Sequence, residues 1–181
     1  MEATATTTNT KWTIDAMHSE VQFKVKHLVI STVTGTFNEF NGSIDSDGDQ
    51  FDGARVHFEV DVNSVDTNQK DRDNHLRSAD FFDVENYPKM IFEGRLAKSG
   101  EDSYTLNGPL TIKDTTKEVS LAAEYGGTMV DGYGQTKVGF EVTGKINRKD
   151  FGLNRSQVTE AGGVVVGDEI RMLFNVQFAR Q

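Results

Sequence analysis

Residues near the start of the chain include the side-chain types of a nucleophilic triad. Asp15, His18 and Ser19 could supply the acid, the base and the nucleophile. Adjacent residues of a strand point to opposite faces, however, and the sequence contains no Gly-x-Ser-x-Gly elbow that would expose a serine. We therefore expect these three residues to be structural rather than the site of a serine hydrolase.

A second candidate lies in the polar string DRDNHLR of residues 71–77. Asp73, His75 and Arg77 could act as acid, base and anchor on a bound substrate. The same residue types also suit a charged helix that forms salt bridges with neighbouring loops. The salt-bridged helix is favoured, so no catalytic residue is predicted, and an enzyme that uses these three residues is kept as the alternative.

The sequence predicts no metal or nucleotide site. Its four histidines include no His-Glu-x-x-His pair, so a metal would need ligands from distant strands. An acidic run from Asp45 begins like a calcium loop, but Gln50 and Val56 stand where glycine and glutamate are required. Cysteine is absent, which excludes disulfides, thiol nucleophiles and thiolate metal sites. We expect neither a metal nor a catalytic cofactor.

Length and charge favour one globular domain that does not bind nucleic acid. The 181 residues carry 19 basic and 28 acidic side chains, a net charge of −9, with no basic run to attract a phosphate backbone. Residues 1–10 are predicted to be a disordered tail that precedes a single domain over residues 11–181. No window approaches the ~20 apolar residues of a transmembrane helix. The tail lacks the features of a signal peptide, so the protein is expected in the cytoplasm, or in the periplasm if a leader has been removed.

The elements that must position all these residues are predicted to be β-strands. Apolar and polar residues alternate along most of the chain, which is typical of strands with one buried face. Such strands can remove their edges by closing into a barrel. The sequence therefore predicts an all-β fold, an eight-stranded antiparallel barrel. The predicted strands cover residues 21–25, 40–44, 56–62, 90–96, 106–112, 119–125, 138–146 and 170–178.

One segment without alternation, residues 64–83, separates the third and fourth predicted strands. It is expected to form a short helical insertion that covers one mouth of the barrel, with Phe81 and Phe82 packed inward and its charges at the rim. It could be a gate for a ligand or a fixed structural plug. Residues 147–163 are a second polar passage that could also border a mouth.

The predicted barrel interior is apolar, because no inward position on the eight strands is charged. Gly42, Gly94, Gly108 and Gly144 fall at inward positions between large apolar residues. They could leave space for a ligand, or they could let the strands coil sharply at barrel corners. An interior of this kind favours a neutral aliphatic chain as the ligand.

Six strings spread along the sequence are similar to the YceI-like family. Together they cover nearly the whole chain from Trp12 onward, although Asp114-Thr115-Thr116-Lys117 replaces the usual Gly-Val-Thr-Lys of that family. The strings are WTIDAMHS from Trp12, GTF from Gly35, DRDNHLRSADFFD from Asp71, YPKMIF from Tyr87, NGPLTIK from Asn107 and RKDFGLN from Arg148.

This resemblance implies a lipocalin-like antiparallel barrel that binds a polyisoprenoid or another long amphiphile and is often a dimer. The expected function is non-catalytic binding, sequestration or transport of an isoprenoid, quinone or fatty-acid-like lipid by a homodimer. The alternative is an enzyme that acts on such a lipid through Asp73, His75 and Arg77. The predicted ligand-binding residues are Phe23, Val25, Phe40, Gly42, Phe58, Val60, Leu76, Phe81, Phe82, Phe92, Gly94, Gly108, Leu110, Phe140, Val142, Gly144, Met172 and Phe174.

Overall fold

Alternation of apolar and polar residues produces an antiparallel sheet that closes on itself. The computed structural model describes residues 9–27, 30–154 and 166–181, and this part contains eleven strands and one α-helix, α1, at Lys70–Arg77. The strands are β1 Asn9–Ile14, β2 Glu20–His27, β3 Ser31–Phe37, β4 Phe40–Asp47, β5 Gln50–Asp61, β6 Val65–Asp66, β7 Lys89–Lys98, β8 Ser103–Ile112, β9 Thr115–Val130, β10 Thr136–Asn147 and β11 Val166–Arg180.

The order of the strands shows how the barrel closes. Strands β4, β5, β7, β8, β9, β10 and β11 pair antiparallel in succession, and β1 pairs with both β4 and β11. The long strand β11 pairs with β1 through its last residues and with β2 through its first part. At that end β3 pairs with β2, and the short β6 pairs with β3. The prediction of a closed, eight-stranded antiparallel barrel with one short helix is confirmed.

The structure adds strands that the alternation did not predict. These are β1, β3 and β6, of which β3 has the Thr-rich sequence STVTGTF and β1 has Trp12 as its one fully buried residue. Because β1 begins at Asn9 and pairs with β4, Asn9 and Thr10 belong to the sheet rather than to the predicted tail. Residues 1–8 of that tail lie outside the described residues.

One end of the barrel is filled by aromatic side chains, and we call it the aromatic end. The ring of Phe51 lies 5.4 Å from that of Trp12 and 5.3 Å from that of Phe140. The indole nitrogen of Trp12 donates a hydrogen bond to Ser46 Oγ at 2.8 Å, so its polar atom is satisfied although the residue is completely buried. Packing of this kind leaves the opposite end as the place to look for an opening.

The opposite end, which we call the helix end, is covered by α1 and its flanking residues. Asp73 of α1 is buried and accepts hydrogen bonds from the backbone nitrogen and the hydroxyl of Thr67. Arg77 donates to the carbonyls of Asn63 at 2.8 Å and Val65 at 3.0 Å. These bonds fix the helix across the strand ends, as predicted for residues 64–83. None of the described helices is long and apolar enough to cross a membrane.

Candidate functional site

The barrel encloses two adjacent apolar cavities. The helix-end cavity has a volume of about 140 Å³, and the inner cavity, nearer the aromatic end, has a volume of about 70 Å³. Five residues line both, so they form the wall between the two spaces. These five are Phe58, Phe92, Leu110, Met172 and Phe174.

The remaining wall of each cavity comes mostly from strand residues, and at the helix end also from α1, the residues after it and the segment after β10. Around the helix-end cavity these are Val21, Gln22, Phe23, Val25, Phe37, Val60, Leu76, Phe81, Phe82, Met90, Ile112, Ile146, Arg148, Leu153, Val166 and Ile170. Around the inner cavity they are Ile44, Val56, Leu96, Leu106, Val119, Leu121, Ala123, Phe140, Val142, Val176 and Phe178. Gln22 and Arg148 are the polar residues among them.

Thirteen of the eighteen predicted ligand-binding residues line these cavities, and their contact with a ligand stays a prediction. The predicted register agrees with the structure, because Lys24 and Arg171 are exposed on the outer face. Phe40 lies beside the cavity and stacks on Phe58 at 5.9 Å. The thirteen are Phe23, Val25, Phe58, Val60, Leu76, Phe81, Phe82, Phe92, Leu110, Phe140, Val142, Met172 and Phe174.

The four inward glycines do not line either cavity, so the expectation that they leave space there is wrong. A Cβ at Gly42 would lie 2.8 Å from the ring of Phe58, and one at Gly94 would lie 2.5 Å from the ring of Phe92. At Gly144 the nearest atom is the Cδ2 of Leu121. Side chains already occupy these three places, because a glycine lets a large neighbour lie flat on the strand.

Gly108 has a different role, in which backbone approaches backbone. A Cβ at this position would lie 2.0 Å from the carbonyl oxygen of Glu93 and 2.5 Å from the Cα of Gly94. Both atoms belong to the neighbouring strand β7, and the next residue of β8 is Pro109, which cannot donate a sheet hydrogen bond. The close approach fits the other interpretation, in which glycine lets the strands coil.

Aromatic residues after α1 border the helix-end cavity, as the sequence predicted. The ring of Phe82 packs edge-on against Phe37 at 6.0 Å, and the ring of Phe81 packs against His75 at 5.0 Å. Leu76 is the residue of α1 that reaches the cavity. The segment therefore presents apolar side chains to the interior, whereas Asp73 is buried against Thr67 and the other charged side chains lie toward the rim.

Arg148 is a buried cation at the helix end that the sequence reasoning missed. Only 2% of the residue is exposed, and it donates to the carbonyls of Leu153 at 2.5 Å and Gly167 at 2.9 Å. Burial lowers the pKa of its guanidinium, and the carboxylate of Asp168, 3.3 Å away, opposes that shift. The string RKDFGLN was the available signal, and residues 155–163 of the predicted second mouth lie outside the described residues.

The structure gives Asp15, His18 and Ser19 structural roles at the break between β1 and β2. Asp15 Oδ2 lies 2.6 Å from Lys137 Nζ and 2.7 Å from His18 Nδ1, and Lys137 holds the pKa of Asp15 down at about 2. The hydroxyl of Ser19 donates to the Asp15 carbonyl and accepts from the Gln177 backbone nitrogen. These bonds tie the break to β10 and β11.

Asp73, His75 and Arg77 do not converge on the cavity. The carboxylate of Asp73 bonds to Thr67, the ring of His75 lies 2.9 Å from Asp80 Oδ2, and Arg77 bonds to backbone carbonyls. Each polar group thus has its own local partner, but neutral groups rather than the predicted salt bridges hold Asp73 and Arg77, and His75 alone of the three lies against a carboxylate. Within the described part of the chain, no three histidine, aspartate or glutamate side chains are placed to hold a metal ion.

Comparisons with known proteins agree on one family. The sequence profile of the YceI-like domain matches residues 12–178. The UPF0312 protein of Staphylococcus epidermidis is 38% identical over 171 residues, which cover 94% of this chain and 98% of that protein. The UPF0312 protein of Staphylococcus aureus is 34% identical over the same shares.

Solved structures show the same fold. The Campylobacter jejuni YCEI protein superposes with a TM-score of 0.74 at 33% identity, over 86% of this chain and 90% of that one. Burkholderia cenocepacia BcnA gives a TM-score of 0.79 at 22% identity, over 91% and 98%. A polyisoprenoid-binding domain from Saccharophagus degradans gives 0.71 at 16% identity, over 94% and 98%.

Proposed function

The chain belongs to the YceI-like family, and from that premise we propose that it binds a long-chain isoprenoid or a similar amphiphilic lipid inside the barrel without transforming it. The polyisoprenoid-binding domain from Saccharophagus degradans has the same fold. The observation that carries the proposal is the pair of cavities whose walls are apolar except for Gln22 and Arg148. Burying a charged or strongly polar ligand against such walls would cost several kcal/mol.

The size and arrangement of the cavities favour a chain-like ligand. Both are smaller than the pockets of roughly 300–1,000 Å³ that hold compact ligands, at about 140 and 70 Å³. A lipid must therefore move side chains of the shared wall to occupy both. Met172 suits this role, because an unbranched thioether side chain adapts its shape at low cost.

The polar end of the ligand is expected at the helix end. The guanidinium of Arg148 borders the cavity on that side, whereas the aromatic end is closed by Trp12, Phe51 and Phe140. A head group placed there can accept a hydrogen bond while the chain runs toward the inner cavity. Carriage or sequestration by a homodimer is part of the proposal, and analytical ultracentrifugation measures the assembly.

Mass spectrometry of the organic extract of the purified protein tests the function. The wild-type protein and an exposed control, Met129→Trp, should carry an intact lipid. Met172→Trp, which places bulk between the two cavities, should lose the lipid or retain a shorter chain. Equal lipid in all three proteins, or an extract without lipid, would contradict interior binding. Turnover of the added lipid would instead support an enzyme.

A further inference from the structure

A row of like charges crosses the outer wall of the barrel near the helix end. Lys145 of β10 stands opposite Arg171 of β11, and Arg171 stands opposite Lys24 of β2. All three are exposed, with 62% of the side chain accessible for both Lys145 and Arg171. Like charges directly opposite each other destabilise a sheet, so folding alone does not account for this row.

Neighbouring residues extend the positive surface, which we call the basic wall. Lys26 continues along β2 beyond Lys24, and Lys149 follows the end of β10. Glu169 lies 3.7 Å from Lys145 and 3.8 Å from Arg171, and Asp168 is paired with Arg148 and Lys149. Five exposed cations, namely Lys24, Lys26, Lys145, Lys149 and Arg171, thus outnumber the carboxylates of Asp168 and Glu169 on this surface, although the chain as a whole has a net charge of −9.

The same three strands carry the opposite charge toward the aromatic end. Glu141 of β10 stands opposite Asn175 of β11, which stands opposite Glu20 of β2. The wall is thus basic at one end and acidic at the other. A negatively charged surface attracts the basic end and repels the acidic one, so the arrangement would orient the molecule as it approaches.

The inner face of the basic wall lines the helix-end cavity. Val25, Ile146 and Ile170 alternate along the chain with the exposed cations and contribute to the cavity wall. Ile30, in the turn between β2 and β3, is 87% exposed at the same end. A partner held on this wall would therefore meet an apolar side chain and lie next to the cavity.

We propose that the basic wall docks the protein on membrane surfaces that contain anionic phospholipids, with the helix end toward the bilayer. This inference rests on the proposed function in one respect, namely that the ligand is a lipid exchanged with that membrane. A membrane fits better than another partner because the surface combines spread cations with an exposed isoleucine, and bilayers offer anionic head groups above an apolar layer.

Vesicle co-sedimentation tests the docking surface. The wild-type protein should bind vesicles of phosphatidylglycerol and phosphatidylcholine, and should bind pure phosphatidylcholine vesicles far more weakly. Binding should fall between about 0.1 M and about 1 M salt, because screening shortens the reach of the charges. The variant with Lys24→Gln, Lys145→Gln and Arg171→Gln should bind roughly 100-fold more weakly, since each cation near an anionic surface contributes roughly fivefold.

A matched control removes the same charge elsewhere. Lys11→Gln, Lys98→Gln and Lys117→Gln replace three exposed lysines outside the basic wall and should leave vesicle binding nearly unchanged. Equal loss in both variants, or a wild-type protein that does not distinguish the two vesicle types, would overturn the docking proposal. Thermal unfolding of both variants verifies that they are folded.

The two proposals fail in different ways. If the protein carries an extractable lipid but ignores anionic vesicles, the docking surface is wrong and interior binding stands. If the protein binds anionic vesicles through the basic wall but no lipid is extracted, the docking surface stands and the proposed function fails. The vesicle assay measures binding through the charged surface, and mass spectrometry of the extract identifies what the cavities hold.

Discussion

Replacing Gly108 with alanine should destabilise the barrel strongly, because the backbone of β7 occupies the place of the new methyl group. The added Cβ would lie 2.0 Å from the Glu93 carbonyl oxygen, whereas ordinary contact begins at 3.4 Å. Strands β7 and β8 would have to separate by roughly 1.4 Å, against a normal spacing of about 4.8 Å. Sheet hydrogen bonds must therefore break, since no side chain can move out of the way.

The loss of stability in Gly108→Ala can be estimated from the backbone hydrogen bonds that break and from the overpacking of the new methyl group. Loss of two backbone hydrogen bonds costs roughly 1–3 kcal/mol, and overpacking adds roughly 1–3 kcal/mol. Gly108→Ala should therefore lower the free energy of unfolding by roughly 2–6 kcal/mol, a large share of the ~5–15 kcal/mol typical of a domain. Gly144→Ala should cost only about 1–2 kcal/mol, because Leu121 can change rotamer.

Urea unfolding followed by the fluorescence of Trp12, the single tryptophan, measures these differences. The control is Gly139→Ala, whose Cβ would be 4.0 Å from its nearest neighbour and should change the stability by less than about 1 kcal/mol. The urea concentration at the midpoint of unfolding should be highest for Gly139→Ala, lower for Gly144→Ala and lowest for Gly108→Ala. If Gly108→Ala unfolds at the same urea concentration as the control, the reasoning from close backbone approach is refuted.

Three further predictions concern charge and opening. Because Lys137 depresses the pKa of Asp15 to about 2, their ion pair stabilises the fold above about pH 4 and is lost as the pH falls toward 2. Asp15→Asn should therefore be about 1–2 kcal/mol less stable than the wild type near pH 7. Between about pH 4 and pH 2 the variant should lose less free energy of unfolding than the wild type. Equal losses in the two proteins, measured by urea unfolding, would contradict this prediction. Arg148→Met should lower the free energy of unfolding by roughly 2–4 kcal/mol, because two carbonyls lose a charged donor. The same variant should exchange amide hydrogens faster in residues 147–153. Unchanged exchange would show that other contacts hold this segment. The amide hydrogens of residues 64–83 should exchange faster than those of the strands, and their exchange should slow when lipid binds. Protection as strong as in the strands, unchanged by lipid, would identify a fixed plug. The entrance would then be sought near residues 147–163.

Local patterns in the sequence were enough to predict the barrel and its apolar interior. Alternation reports which face of a strand is buried, so residues such as Phe23 and Met172 could be assigned inward from their own strands. It cannot report what a neighbouring strand contributes. The ring of Phe23, on β2, covers Gly35 of β3. The burial of Gly35 thus comes from a residue of another strand and leaves no apolar side chain at that position in the sequence. For that reason β3 was not predicted.

Arg148 shows a second limit of the sequence reasoning. A cation after a strand predicts exposure, because an isolated buried charge is costly. In the structure, backbone carbonyls of Leu153 and Gly167 and the carboxylate of Asp168 surround its guanidinium. Carbonyl groups are common to all residues, so a pocket built from them leaves no composition signal; the string RKDFGLN marked the segment, but the burial of its arginine is seen only in the coordinates.

The closure of the barrel by its first and last strands has a consequence for folding on the ribosome. Trp12 of β1 stands opposite Arg180 of β11, so the contacts that close the barrel join residues near opposite ends of the sequence. Such non-local contacts raise the contact order and place closure late in folding. A nascent chain that has not yet released β11 has no complete cavity and an unpaired strand edge. A ligand of the interior could therefore bind only after synthesis, and the partly made chain would expose an edge that favours aggregation.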